Sequence, residues 1–219
     1  MSRPRLAVLI SGTGRNLQAI LEACRDGRIA AEPALVISNR ADAAGLAYAA
    51  SHGVPTGVLD HRTFAARAGF DTALAEALDD AGADLVALAG FMRILTPGFV
   101  SRYGGRLFNI HPSLLPKYPG LDTHARALAA GEREHGASVH YVTNELDGGP
   151  VVLQGRVEVR TGESAEQLAE RVMQAIEIRI YPRVLAWAAA GRLQLQSGRI
   201  VLDGRVLDAP RQLEDLHEN

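Results

Sequence analysis

Cysteine is almost absent: Cys24 stands alone, which excludes an intramolecular disulfide and a structural zinc site built from several thiolates. Charge of one sign is missing too. The formal net charge is −2 with no long basic run, so the chain lacks the cationic face that a duplex nucleic-acid binder needs. No apolar window approaches membrane-spanning length. The apolar run after the first five residues meets Gly12 too soon for a signal peptide with a cleavage site. No cluster of His, Cys, Asp or Glu has metal-ligand spacing. These absences predict a cytoplasmic protein, monomer or homodimer, with no metal and with neither nucleic acid nor membrane as a partner. What remains is a chain of 219 residues, 47% of them apolar, enough for one medium domain with a sizeable core.

The apolar runs that are present come at strand length. Leu6–Ile10, Ala34–Ser38, Thr56–Leu59 and Asp84–Ala89 read as strands. They alternate with helical spacing over Leu17–Cys24, Ala41–His52 and Phe70–Ala81. That alternation predicts an α/β fold with a mostly parallel, doubly wound, Rossmann-like sheet. Between the first strand and helix lies Ser11-Gly12-Thr13-Gly14-Arg15-Asn16. It lacks the third glycine of a dinucleotide fingerprint and the Gly-Lys-Ser/Thr ending of a P-loop. Its backbone amides and the helix N-terminus suit a phosphate monoester. The competing reading is a tight turn whose glycines serve geometry alone.

Further on, the pattern turns antiparallel. His124–Ala130 reads as a short helix. Ala137–Thr143 alternates with period two, as a strand with one wet face would, and Val151–Val159 follows in a hairpin-like relation. Ser164–Gln167 forms a capping box for a helix carrying Leu168, Val172, Ile176, Ile180 and Val184, which Pro182 should kink or end near Tyr181. Arg199–Leu207 reads as a hairpin with Asp203-Gly204 at its tip, and the last dozen residues as a frayed polar tail. One domain is expected over 1–219: an α/β half over 1–105, a second half over 106–190, and a hairpin and tail over 191–219.

The stretch around which the chain is organised is Arg106-Leu107-Phe108-Asn109-Ile110-His111-Pro112, with Pro116 further on. Its strand is stopped by proline. Asn109 and His111, two positions apart, share a face. Sites in parallel sheets gather at the carboxyl ends of strands. Gly12–Asn16, Gly90–Leu95 and Asn109–His111 all lie at such ends and can line one crevice. Downstream, Asp147 sits in a turn-rich loop, Asp147-Gly148-Gly149-Pro150. By itself it reads as a turn residue. With Asn109 and His111 it completes an amide, an imidazole and a carboxylate, a set suited to holding an oxyanion and moving a proton. A carboxylate nearby favours the charged form of a histidine. No nucleophile is evident: Ser113 lacks a glycine elbow and Cys24 lies in a helix. The nucleophile is therefore expected to belong to a substrate.

These motifs resemble the phosphoribosylglycinamide formyltransferase family, within the wider folate-dependent formyltransferases. The likeness runs from about Leu6 to Trp187 and rests on SGTGRNLQAI at 11–20, AGFMRILTPGFV at 89–100, NIHPSLLPKYPG at 109–120 and HGASVHYVTNELDGGPVVLQ at 135–154. The resemblance implies transfer of a formyl group from 10-formyltetrahydrofolate, as co-substrate, to the amine of phosphoribosylglycinamide in purine synthesis. It implies that Gly14, Arg15 and Asn16 hold the phosphoribosyl group and that Glu177 lies near the acceptor amine. On the folate side it implies Arg67, the segment Met92-Arg93-Ile94-Leu95, Asn109 and His140. His111 becomes the proton donor and Asp147 the carboxylate that raises its pKa. Many relatives carry serine where Arg15 stands; an arginine there can add a phosphate contact or point to solvent. A formyltetrahydrofolate hydrolase would be expected to carry an extra N-terminal domain, and a methionyl-tRNA formyltransferase a C-terminal one. A non-catalytic anion- or folate-binding module would not need His111 and Asp147 together.

Overall fold

A computed structural model describes residues 2–216. Its centre is an eight-stranded sheet in the order β11-β7-β6-β5-β4-β1-β2-β3. The parallel part is formed by β1 (Arg5–Ile10), β2 (Glu32–Ser38), β3 (Thr56–Val58), β4 (Leu85–Leu88) and β5 (Leu107–His111), linked by α1 (Arg15–Arg25), α2 (Ala44–Ser51), α3 (Arg67–Asp80) and α4 (Pro97–Arg102). After α5 (Thr123–Ala129), β6 (Glu134–Tyr141) runs antiparallel to β5, and β7 (Val151–Glu158) antiparallel to β6. The expected α/β architecture with an antiparallel C-terminal part is therefore present. One helix, α4, has no counterpart in the periodicity. It is short and begins at a proline whose missing amide needs no partner there, and Thr96 caps it.

Period two sorts each strand between two cores. In β1, Leu6, Val8 and Ile10 pack on one face with α1, α6 (Ala165–Val172) and α7 (Ile178–Ala189), while Ala7 and Leu9 join α3 and α4 on the other. In β5, Phe108 and Ile110 belong to the first face and Leu107 to the second. Asn109 and His111 fall in step with Leu107 on the second face.

Three expectations are corrected. First, β6 has no wet face: from His135 to Tyr141 every residue is buried. Its alternating polar residues answer one another inside the protein instead. The Ser138 hydroxyl donates to the Ser113 carbonyl and accepts from the Gln154 amide and the Leu115 N–H. Second, Pro182 does not end its helix. α7 continues to Ala189, and the irregularity lies one turn earlier, where Met173–Glu177 forms a π-helical turn. Third, the tail is not frayed up to residue 216. β11 (Arg211–Gln212) pairs parallel with Leu153 and Gln154, and a 3₁₀ turn follows; residues 217–219 lie outside the described residues. The expected Arg199–Leu207 hairpin is present: next to β8 (Leu193–Gln196) in a three-stranded sheet, β9 (Arg199–Leu202) pairs antiparallel with β10 (Arg205–Val206). Asp203 and Gly204 both adopt positive φ at its tip, as a two-residue hairpin turn requires.

Candidate active site

At the carboxyl end of β5 the second core stops short, and a cleft of about 650 Å³ opens. Asn109 and His111 line it from the strand. Asp147 lines it from the β6–β7 loop, where its φ of 50° uses the left-handed region that Asp tolerates better than most residues. That loop is pressed on β6: a Cβ at Gly149 would sit 1.8 Å from the Tyr141 carbonyl oxygen, so only glycine fits. Asp147 is held by the Gly120 N–H, which donates to its Oδ2 at 2.8 Å. The same oxygen is 3.4 Å from His111 Nδ1, and Oδ1 is 3.7 Å from His140 Nε2. The His111, His140 and Asp147 side chains are all largely buried.

Hydrogen bonds assign the imidazole roles. His111 Nε2 lies 2.8 Å from the Tyr118 carbonyl, which can only accept, so this nitrogen carries a proton and Nδ1 faces the carboxylate. In the doubly protonated ring each nitrogen has an acceptor. His140 Nδ1 donates to the Tyr141 carbonyl at 2.9 Å, leaving Nε2 to accept from the Asn109 amide at 3.1 Å. Burial pushes the His140 pKa down, outweighing the bond to Tyr141 and the nearby Asp147. A neutral His140 thus turns the Asn109 NH₂ group into a fixed donor, with its second N–H free.

Around this polar end the walls are apolar. Six large hydrophobic side chains are exposed among the described residues, and four of them, Met92, Ile94, Leu121 and Leu146, ring this cleft. Arg67, at the first turn of α3, and Arg93 also line it, and the Arg93 Nε is buried without a partner. Leu95, next in the same segment, turns into the second core instead. No periodic pattern points to Leu121 and Leu146, which stand in turn-rich stretches; the available signal is an apolar residue with no periodic partner.

The Gly12–Asn16 loop is not among the residues lining this cleft, although it follows β1 at the same carboxyl edge of the sheet. Gly14 has φ +78°, and a Cβ there would lie 2.9 Å from the Gly45 Cα at the start of α2. Geometry therefore accounts for that glycine. Beside it, buried Asn16 donates through Nδ2 to Glu177 Oε2 at 2.7 Å. Glu177 reaches inward from the π-helical turn, and burial raises its pKa against the lowering effects of Asn16 and Arg15. Asn16 Oδ1 is buried with no donor. Arg15 points across to α6 and pairs with Glu170 at 2.5 Å, both half-exposed.

An amide donor, an imidazole and a carboxylate behind it, meeting at the polar end of a cleft, are groups suited to holding an oxyanion and moving a proton, the chemistry of a group-transfer enzyme. Comparison with known proteins identifies the group: the sequence pattern of the formyl transferase family matches residues 4–185, and the chain belongs to that family. Within it, the chain is 52% identical over 202 residues to the phosphoribosylglycinamide formyltransferase of Escherichia coli, covering 92% of this chain and 95% of that one. It is 45% identical over 199 residues to the trifunctional purine biosynthetic protein adenosine-3 of Bos taurus, covering 90% of this chain and 20% of that protein. The phosphoribosylglycinamide formyltransferase structure from Coxiella burnetii superposes with a TM-score of 0.91 at 50% identity, covering 96% of this chain and 99% of that one.

Proposed function

We infer that this chain is a phosphoribosylglycinamide formyltransferase of purine biosynthesis, using 10-formyltetrahydrofolate as formyl donor, and that it works in the cytoplasm on small-molecule substrates. Supporting the site assignment is one observation above others. Side chains 36 residues apart or more, Asn109 and His111 on β5 and Asp147 on a remote loop, meet at the polar end of a cleft with apolar walls. Its volume lies within the roughly 300–1,000 Å³ of small-molecule sites, and its exposed Met92, Ile94, Leu121 and Leu146 are suited to a flat heteroaromatic ligand. Arg67 and Arg93 suit the carboxylates and carbonyls of a folate.

In the proposed reaction the glycinamide amine attacks the formyl carbon, and the C–O π pair moves onto oxygen. The free Asn109 N–H donates to that oxyanion, and the His111 ring, whose two nitrogens face the Tyr118 carbonyl and Asp147, stabilises it through its charge. Asp147 balances the charge that develops on His111. Collapse of the tetrahedral intermediate re-forms the carbonyl and breaks the bond to folate N10. The proton lost by the amine is the proton N10 gains, passed through a water or through His111 Nε2 once that nitrogen leaves the Tyr118 carbonyl. The acceptor's ribose phosphate is placed at Gly14, Arg15 and Asn16: the orphaned Asn16 Oδ1 and the buried Glu177 are acceptors for hydroxyl or amine donors. Exposed ion pairs contribute little, so Arg15 can exchange Glu170 for a phosphate at small cost.

The test is formyl transfer by His111→Ala. Turnover is expected to fall on the order of a hundredfold or more, with folate binding roughly kept. Unchanged turnover would convert the reading into that of a binding module.

A further inference from the structure

A chain of hydrogen bonds, buried at its centre, runs beneath the cleft wall and is used by none of the chemistry above. The Met92 N–H donates to Ser11 Oγ at 2.8 Å, and the Ser11 hydroxyl donates to Asn39 Oδ1 at 2.5 Å. Asn39 Nδ2 lies 3.2 Å from His61 Nδ1, which accepts from it. Ser11 and Asn39 are both buried. They stand one residue past the carboxyl ends of β1 and β2, while Met92 follows β4, so the chain ties three strand ends together. It has a single direction: because Asn39 offers its carbonyl to the hydroxyl proton, the Ser11 oxygen is left free to accept from Met92.

At its other end the same segment is held by a second buried side chain. The Thr96 N–H donates to Asp71 Oδ2 at 2.6 Å, and Leu95 packs in the second core. Between these two tethers lie Met92, Arg93 and Ile94, whose side chains form one wall of the cleft although Met92 and Ile94 are more than half exposed. Apolar side chains that stay exposed do not hold their own backbone in place by burial, so the wall takes its position from its flanks: buried Phe91 and Leu95 anchor the ends in the second core, and the two hydrogen-bonded tethers set the backbone between them.

We propose that Ser11 and Asn39 are positioning residues for the folate wall: by fixing the Met92 amide they hold Met92–Ile94 in the shape the formyl donor binds, without touching either substrate. This rests on the assignment of the cleft to the folate. The chemistry at Asn109 and His111 is reached from β5 and is left in place when the tether is removed.

The experiment compares Ser11→Ala, Asn39→Ala and the double variant with the unaltered protein. The readouts are steady-state formyl transfer and direct titration with tetrahydrofolate. In each single variant the KM for 10-formyltetrahydrofolate and the tetrahydrofolate dissociation constant should rise about five- to tenfold. kcat should stay within threefold and the acceptor KM within twofold. The double variant should be little worse than the poorer single one, since both remove one connected unit. Ser11→Cys, which keeps the volume but is a weak acceptor, should fall between wild type and Ser11→Ala and covers the case in which the alanine fails to fold. An unchanged folate dissociation constant, an equal rise in both KM values, or additive effects would each overturn the proposal. Absence of formyl transfer by the unaltered protein would instead overturn the functional reading.

Discussion

Replacing Asp147 by asparagine isolates the charge behind His111. The carboxylate sits 3.4 Å from the imidazole Nδ1 in a largely buried position, and its Oδ2 also accepts from the Gly120 N–H. Asparagine keeps the size, keeps an acceptor for Gly120, and tolerates the positive φ of 50° that alanine would find strained. Only the charge is lost. Two unit charges at that separation attract by about 5 kcal/mol at an effective dielectric of 20, an upper bound before desolvation is subtracted. Hydrogen bonds to charged groups retain about 1.5–3 kcal/mol net. If that interaction develops as His111 takes up charge in the transition state, Asp147→Asn should lower kcat by roughly 30- to 150-fold, about 2–3 kcal/mol. The KM for the folate should move by less than about threefold, because the apolar walls are untouched. Steady-state formyl transfer, followed alongside a thermal melt to verify folding, reads both numbers. A kcat within threefold of wild type in a folded variant would show that the carboxylate has no part in the step.

Two further outcomes are expected. His135 is buried, its Nε2 lies 3.1 Å from His124 Nδ1, and burial, with His124 next, pushes its pKa down to about 4. The unfolded chain takes up that proton near the ordinary value of 6.5, so this contribution to stability is whole above it and is lost as pH falls toward 4. Between pH 7 and 5 the loss should be about 2 kcal/mol in urea titrations, and an unchanged pH dependence in His135→Gln would reject the assignment. Tyr181→Phe removes a buried hydroxyl that lies 3.0 Å from both the Leu88 and Phe108 carbonyls, at the ends of β4 and β5. Stability should drop by about 1–3 kcal/mol, measured by denaturant midpoint; a change below about 0.5 kcal/mol would mean those carbonyls find other partners.

How far the sequence reached follows from which signals were local. The parallel half was legible because β1, β2 and β4 are covered on both faces and so read as unbroken apolar runs. Asn109 and His111 were legible because a strand's period puts them together and a proline marks its end. The pairing with Asp147 came from the family's motifs, since no spacing rule links β5 to a loop that reaches it through two antiparallel strands. β6 misled because alternation reports polarity, not water, and its Ser138 and His140 spend their polarity on Gln154, Ser113, Tyr141 and Asn109. The Ser11–Asn39 tether was illegible in principle: a serine before a glycine turn and an asparagine after a strand are both ordinary turn formers.

The π-helical turn at Met173–Glu177 can be restated as arithmetic. A turn closed by bonds five residues back carries one residue more than an α-helix of the same rise, and each residue turns the helix by about 100°. Deleting one residue of the turn, Gln174, would remove the surplus and join the flanking helices into a regular rod. α7 could then keep its apolar stripe in register or Glu177 could keep facing Asn16, but not both. The buried acid beside Asn16 therefore owes its aim to a surplus residue maintained in the chain, and a one-residue deletion would be a sharper probe of it than any change of side chain.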